Sequence, residues 1–388
     1  MHFFLQKIIF LLCFATVSAH AQMPIKTGAE QMDSYLHLFQ NKRVALVVNP
    51  TSQVNGVLLP DTLLKRNVHI TKIFSPEHGF RGNADAGATV QNGIDPKTNL
   101  PVISLYGKNK KPSPEQLKDV DIIVYDLQDV GARFYTYIST LEYLLDACAE
   151  NKKQLIILDR PNPLGFIVDG PVLDKKQKSF VGMQSIPVIY GMTPGEYAKM
   201  LIGEKWIVNN KVDLTVVPCA NYNHKSHYEL PIAPSPNLKN MTAIYLYPSL
   251  CFFEGTVISI GRGTDFPFQQ YGHPKLQNQG YGFTPKSTEG ASNPPLKGQY
   301  CLGEKVADSP EEALLKTDDR LNLKWLLKAY ADFPEKDQFF ISYFEKLAGN
   351  DILRQQIISG KSEAEIRQSW QTDLDKFKEI RQKYLIYK

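Results

Sequence analysis

The residues of this chain that could do chemistry collect where short apolar runs end. Ser75-Pro76-Glu77-His78-Gly79 closes one such run. Pro76 removes a backbone donor and stiffens the turn, and Gly79 relieves its exit. Glu77 and His78 are therefore expected to project from the carboxyl edge of a sheet. A partly desolvated carboxyl group at such an edge suits general-acid work. The plainer reading is a turn with an exposed glutamate. A second group follows the apolar run Ile122–Tyr125: Asp126, Gln128, Asp129, Arg133, Tyr135 and Tyr137 fall within twelve residues. Arg133 is placed to pair with Asp126 or Asp129, or to grip a substrate carboxylate through two parallel hydrogen bonds. The tyrosines suit stacking on a sugar face; the structural alternative is an ion pair with two packing tyrosines. So many polar side chains at one strand end favour function.

Three further segments carry candidates. Asp159-Arg160-Pro161-Asn162-Pro163 again follows an apolar run, and its two prolines hold Asp159 and Asn162 in a rigid loop. Glu254-Gly255-Thr256 leads into Ser259-Ile260-Gly261-Arg262-Gly263-Thr264. Gly261 and Gly263 flank Arg262 as they would where backbone approaches a ligand, so Glu254, Arg262 and Thr264 join the binding candidates. The spacing is that of neither a phosphate loop nor a dinucleotide fingerprint. Ser235-Pro236-Asn237 offers Asn237, or is a plain turn. There is no His-Glu-x-x-His zinc motif and no Gly-x-Ser-x-Gly nucleophile elbow. His224 and His227, three apart in a polar stretch, read as solvated loop histidines. No metal and no cofactor are expected. Carboxylates, arginines and aromatics without a metal or a serine nucleophile suit glycosidic cleavage, with one carboxyl group protonating the leaving oxygen and a second group attacking or stabilising the sugar.

The elements that must position these side chains can be read from the apolar runs. Arg43–Asn49, Val68–Phe74, Val102–Leu105, Ile122–Asp126 and Gln154–Asp159 read as buried strands, with helices at Ser113–Lys118 and Thr140–Asn151 between them. Apolar runs alternating with helices predict an α/β fold, a Rossmann-like doubly wound parallel sheet, with ligands beyond the carboxyl ends of its strands. From about residue 187 the pattern becomes mixed. Thr193–Gly203 reads as a helix capped by Thr193 with Pro194 at its first position. Asp213–Pro218 and Thr256–Ile260 read as strands, Gly272–Pro295 as a long loop, and Asp318–Tyr330 and Lys361–Tyr384 as helices. The expected organisation is a Rossmann-like domain over 22–186 and a smaller α+β domain over 187–388, with the site between them. Lys7 and the apolar run Ile8–Val17, followed by Ser18-Ala19-His20-Ala21, read as a secretory signal cleaved after Ala21, implying a periplasmic or secreted protein. No later run is long and apolar enough to span a bilayer. The net charge of +4 over 388 residues is too weak a bias to suggest nucleic acid. Cys148, Cys219, Cys251 and Cys301 are too widely spaced for a small disulfide scaffold.

These segments together resemble the exo-β-N-acetylmuramidase (NamZ-type) family, glycoside hydrolase family 171, formerly a domain of unknown function. The matching stretches are NPTS (Asn49–Ser52), FSPEHGFRG (Phe74–Gly82), LYGKNKKPSPEQL (Leu105–Leu117), YDLQDVGARFYTYISTL (Tyr125–Leu141), LDRPNPLG (Leu158–Gly165), PSPN (Pro234–Asn237), FEGTVISIGRGTDFPF (Phe253–Phe268) and KYLIY (Lys383–Tyr387). The chain departs from the family at Tyr190-Gly191-Met192, where histidine is common in place of Tyr190, and at Val257, where asparagine is common; the region Val306–Leu321 looks shortened. The resemblance implies exo-acting release of β-linked terminal N-acetylmuramic acid from non-reducing ends of peptidoglycan-derived muramyl glycans. On that reading Glu77 is the general acid and Asp126 the second carboxylate. Arg133 or Arg262, with Arg262 favoured, binds the lactyl carboxylate. The other reading is a non-catalytic cell-wall glycan-binding protein, which would keep the aromatics and arginines but tolerate loss of Glu77.

Overall fold

Apolar five- and six-residue runs build the central sheet. The computed structural model describes residues 23–77, 79–81, 92–208, 211–277 and 280–388; the expected signal segment and His78 lie outside the described residues. The strands are Val44–Val48 (β1), Ile70–Ser75 (β2), Gly93–Ile94 (β3), Pro101–Ser104 (β4), Ile122–Asp126 (β5), Gln154–Leu158 (β6) and Asp213–Val217 (β7). They lie in the order β3-β4-β2-β1-β5-β6-β7. Every neighbouring pair is parallel except β3 with β4. The six parallel strands thus run outward from β1 to β4, return, and run outward again from β5 to β7. This is the Rossmann order, and its switch point lies between β1 and β5.

Side chains alternate across the sheet, as the strand period requires. Val44, Leu46, Val48, Ile122, Val124, Ile156 and Leu158 form one core with Tyr35 and Phe39 of the N-terminal segment and Leu59 and Leu63 of a short helix. Ala45, Val47, Ile123, Tyr125, Leu155 and Ile157 face the other way. They pack under the helices Tyr137–Asn151 (α1) and Pro194–Gly203 (α2). Thr193 and Glu196 form a capping box at the start of α2, with Pro194 in the first turn. The second core continues without a break through Met241–Leu250 (α3) to Ile366, Trp370, Leu374 and Phe377 of the C-terminal helix Glu363–Gln382 (α4). The C-terminal half also holds a small antiparallel sheet of Gln270–His273 (β8), Gly282–Phe283 (β9) and Cys301–Lys305 (β10).

Several expectations about the second half change: β9 interrupts the expected loop Gly272–Pro295, and the helix expected over Asp318–Tyr330 begins only at Lys324. β7 belongs to the large sheet although it lies past residue 187, so the sheet unit extends at least to Val217 rather than ending at 186. Thr256–Ile260 is not a strand; Thr256 and Ser259 each make a single bridge, to Phe340 and Gly272. The Thr256 hydroxyl turns back onto the Phe253 carbonyl at 2.8 Å, which curls the chain there. All four described cysteines are buried and unpaired. No helix among the described residues is long and apolar enough to cross a membrane.

Candidate active site

The carboxyl ends of β2 and β4 open onto a cleft of about 890 Å³, within the range of small-molecule sites. Glu77 enters two residues after β2 and Tyr106 two residues after β4. Phe134 and Thr136 come from the segment between β5 and α1, and Tyr247 from α3. Glu254, Arg262 and Tyr343 form the C-terminal side of the cleft, and Lys110 and Phe180 stand at its rim. The Thr136 hydroxyl donates to Glu77 Oε2 at 3.2 Å. The Tyr106 hydroxyl also hydrogen-bonds Glu77; burial, and then the nearby Glu77 carboxylate, push that phenol well above the ordinary tyrosine pKa. Two polar groups from neighbouring loops thus fix the glutamate that the sequence marks first.

The C-terminal side holds a second acid. Arg262 Nε donates to Glu254 Oε1 at 2.7 Å, and the Cys251 thiol lies 3.4 Å from Oε2. The guanidinium lies over the Phe268 ring, 4.9 Å from its centroid. Burial works against the charge on Arg262, but Glu254 outweighs it and keeps the guanidinium above its ordinary pKa. Arg262 Nη1 is buried and has no hydrogen-bond partner. A buried donor left unmade costs free energy, and a ligand oxygen would relieve that cost. Tyr343 lines the same cleft: burial first, then the Cys251, Glu254 and Glu77 groups, push its pKa up and hold its hydroxyl protonated.

The glycines beside Arg262 do not face a ligand. A Cβ on Gly261 would come 2.6 Å from Gln270 Nε2, and one on Gly263 2.3 Å from the Lys286 carbonyl. Both adopt φ of +79°, and they serve tight packing of the loop. Thr264 closes the same loop, donating to the Gly261 carbonyl and accepting from Gln270 Nε2.

Several expected site residues are structural. Asp126 is fully buried in an ion pair with Arg160, at 2.5 Å from Nε and 3.0 Å from Nη2. It shares the parity of Ile122 and Val124 and so points to the N-terminal face of the sheet, away from Glu77. Arg133 is 1% exposed and donates to the carbonyls of Pro171, Ile186 and Leu347. With no carboxylate at hand, burial lowers its pKa to about 9. It ties the α1 side to the short helix that carries Leu347 and does not line the cleft. Gln128 donates to the carbonyls of Asp129 and Pro161. Asp159 accepts from Tyr387, Thr193 and Gly195, and Asn162 donates to the Met192 carbonyl. The Tyr135 hydroxyl donates to the Pro234 carbonyl at 2.8 Å. His224 is not a solvated loop residue: its ring bridges Glu196 and the Gly165 carbonyl.

Asp129 gives a pH-dependent prediction. It is buried, accepts from the Tyr190 hydroxyl and the Gly131 amide, and leaves Oδ1 without a partner. Burial raises its pKa to about 7, only partly opposed by those donors. A carboxyl raised above its unfolded value of about 3.9 binds its proton more tightly when folded. Its contribution is therefore complete below about pH 4 and is lost as pH rises toward 7. Asp129→Asn removes this loss. The stability of the variant relative to wild type should improve by on the order of 4 kcal/mol between pH 4 and pH 8. Urea midpoints at the two pH values measure it; a pH-independent difference refutes it.

Sequence reasoning missed Tyr106, Phe134, Thr136, Tyr247 and Tyr343. Tyr106 could have been found, because it follows β4 as Glu77 follows the neighbouring β2. Tyr343 has no such local signal. Among the described residues no group of three or more His, Cys, Asp or Glu could hold a metal ion.

Comparison with known proteins adds to this geometry. Residues 44–242 match the family model described as exo-beta-N-acetylmuramidase NamZ, N-terminal, and residues 245–387 match its C-terminal counterpart. The peptidoglycan beta-N-acetylmuramidase NamZ of Bacillus subtilis (strain 168) is 37% identical over 410 residues, covering 97% of each chain. Two crystal structures of DUF1343 family proteins from Bacteroides fragilis NCTC 9343 are also similar. One has a TM-score of 0.87 at 48% identity, the other 0.77 at 30%, and each match covers 94% of this chain and 99% of the other.

Proposed function

The chain belongs to the exo-β-N-acetylmuramidase NamZ family, and we propose from that membership and from the cleft that it is an exo-acting glycoside hydrolase. Its substrate is a peptidoglycan fragment with a β-linked N-acetylmuramic acid at the non-reducing end, and its product is the free muramyl sugar. The observation that carries this reading is the cleft that Glu77 shares with the Glu254–Arg262 pair and with Tyr106, Tyr247 and Tyr343. Glu77 protonates the glycosidic oxygen as the bond breaks. Glu254 takes the place expected for Asp126 and supplies negative charge to an oxocarbenium-like transition state. Secretion through the segment ending at Ala21, and a role in cell-wall recycling, complete the reading: a substrate built from wall polymer calls for an enzyme outside the cytoplasm.

Arg262 explains why the sugar should be muramic acid. N-Acetylmuramic acid differs from N-acetylglucosamine by a lactyl ether bearing a carboxylate, and only a donor can read that group. Each arginine has one buried nitrogen unpartnered, Nε of Arg133 and Nη1 of Arg262, but only Arg262 lines the cleft; Arg133 is buried among carbonyls. A charge-assisted contact is worth about 1.5–3 kcal/mol, or roughly tenfold to hundredfold. Arg262→Met should lower the ratio of kcat/KM on a β-muramide to that on the matching β-glucosaminide by this factor. Using a ratio cancels the general harm of stranding Glu254. An unchanged ratio removes Arg262 as the reader. A wild-type protein that binds muramyl glycans without cleaving any β-muramide would favour the non-catalytic alternative.

A further inference from the structure

We propose that a second cavity, beside the cleft, is the binding site for the leaving part of the glycan, and that it takes an uncharged N-acetylhexosamine ring. The assignment rests on the hydrolase reading above. The cavity measures about 400 Å³ and is bounded by Asn49, Arg81, Tyr137, Ala233, Lys239 and Glu289 among others. Asn49 is the first residue after β1, so the cavity opens at the sheet's switch point, where ligands of such sheets bind.

A single turn separates cavity from cleft. Thr288 and Ala291 exchange two backbone hydrogen bonds of 3.1 Å. Thr288 and Glu289 face the cavity, while Gly290 and Ala291 face the cleft. Asn237 Nδ2 holds the turn through the Gly290 carbonyl at 2.8 Å. Gly290 has φ of +77°, and a Cβ there would lie 2.3 Å from Pro236. The partition is therefore fixed by packing and by a hydrogen bond, which also gives the expected binding residue Asn237 its role.

Glu77 lines the cleft and is near enough to Tyr137 in the cavity wall for its charge to raise that phenol's pKa, after burial. Thr136, which donates to Glu77, lines the cleft, and the next residue, Tyr137, lines the cavity. A general acid must reach the oxygen that joins the two sugars, so it sits where their sites meet. Glu254 and Arg262 lie on the cleft side, which assigns the muramyl ring to the cleft and the leaving ring to the cavity. The inner wall of the cavity suits a neutral ring. Asn49 Nδ2 donates to the Tyr137 hydroxyl at 2.9 Å, and both are uncharged and fixed. Of the three charged residues at its edge, Lys239 and Glu289 are of opposite sign and exposed, and Arg81 is held by Asp95 through two hydrogen bonds of 2.8 Å.

The test fills the cavity and compares two substrates. A muramyl-β-1,4-N-acetylglucosamine disaccharide needs the cavity; β-muramyl fluoride, whose leaving group is one atom, does not. Ala233 is exposed at the cavity wall, so a larger side chain there can be accommodated without disturbing the core. Ala233→Trp should lower the ratio of kcat/KM on the disaccharide to that on the fluoride by about tenfold or more, through a raised KM. Ala233→Ser should keep the wild-type ratio. An Ala233→Trp ratio within about twofold of wild type overturns the assignment, whether both rates persist or both fall together. A wild-type enzyme that cleaves neither substrate instead removes the hydrolase reading, and this site with it.

Discussion

Glu77→Gln should fold as the wild type does and turn over a muramyl disaccharide about 10²–10⁴-fold more slowly. Glutamine keeps the length and shape of the side chain and can still accept from the Thr136 hydroxyl, which bonds Oε2 in the native protein. It has no proton to transfer to the leaving oxygen. The size of the loss should follow the leaving group. A sugar alkoxide needs the proton most, whereas an acidic phenol departs with little help, so a dinitrophenyl β-muramide should lose much less rate. Steady-state kinetics on both substrates, with circular dichroism to establish folding, checks this. Near-native turnover of the disaccharide excludes Glu77 as the acid. An equal loss on both substrates would make its role electrostatic or positional.

The sheet was legible in the sequence because most of its strands are buried on both faces. VALVV and IIVYD expose nothing, and short, β-branched apolar runs of this length fit buried parallel strands. β7, with the sequence DLTVV, is half-exposed at the sheet edge. Its pattern is that of any short strand, so its membership of the large sheet could not be read locally. The site was legible only in part, for a similar reason. Glu77, Glu254 and Arg262 lie in glycine- and proline-marked loops and do line the cleft. Arg133 lies in an equally polar segment, yet its guanidinium turns inward to three carbonyls, one of them Leu347, more than two hundred residues away. Residue type marks a strand end as polar; only the tertiary partner decides whether the polar group faces ligand or core. Tyr343 is the converse case. It precedes a five-residue helix whose Phe344 packs on Phe252 and Phe340, and that packing, rather than any local motif, brings its hydroxyl to the cleft.

Asp126 makes the distinction testable. Its carboxylate and the Arg160 guanidinium are nearly inaccessible, at 0% and 4% exposure, and meet through two hydrogen bonds. Asp126→Asn keeps the volume and one acceptor but removes the charge. Arg160, whose guanidinium keeps its proton, would then carry a buried cation without a counter-charge. Breaking such a pair costs about 3–5 kcal/mol, much of it the penalty on the partner left behind. The urea midpoint of Asp126→Asn should fall accordingly, while kcat per folded molecule stays within a few-fold of wild type. Removing both partners should cost less than removing the acid alone: Asp126→Asn with Arg160→Met takes away the stranded charge, and the coupling between the two substitutions measures the pair directly. The opposite pattern, in which Asp126→Asn is as stable as wild type but loses turnover as Glu77→Gln does, would return Asp126 to the chemistry and displace Glu254 from the role assigned to it. The parity of β5 argues against that outcome. A side chain that follows Ile122 and Val124 onto the N-terminal face of the sheet cannot reach a sugar held beside Glu77 without the strand end turning over. Turning it would release the Ser52 hydroxyl from the Asp126 carbonyl and open the Arg160 pair together.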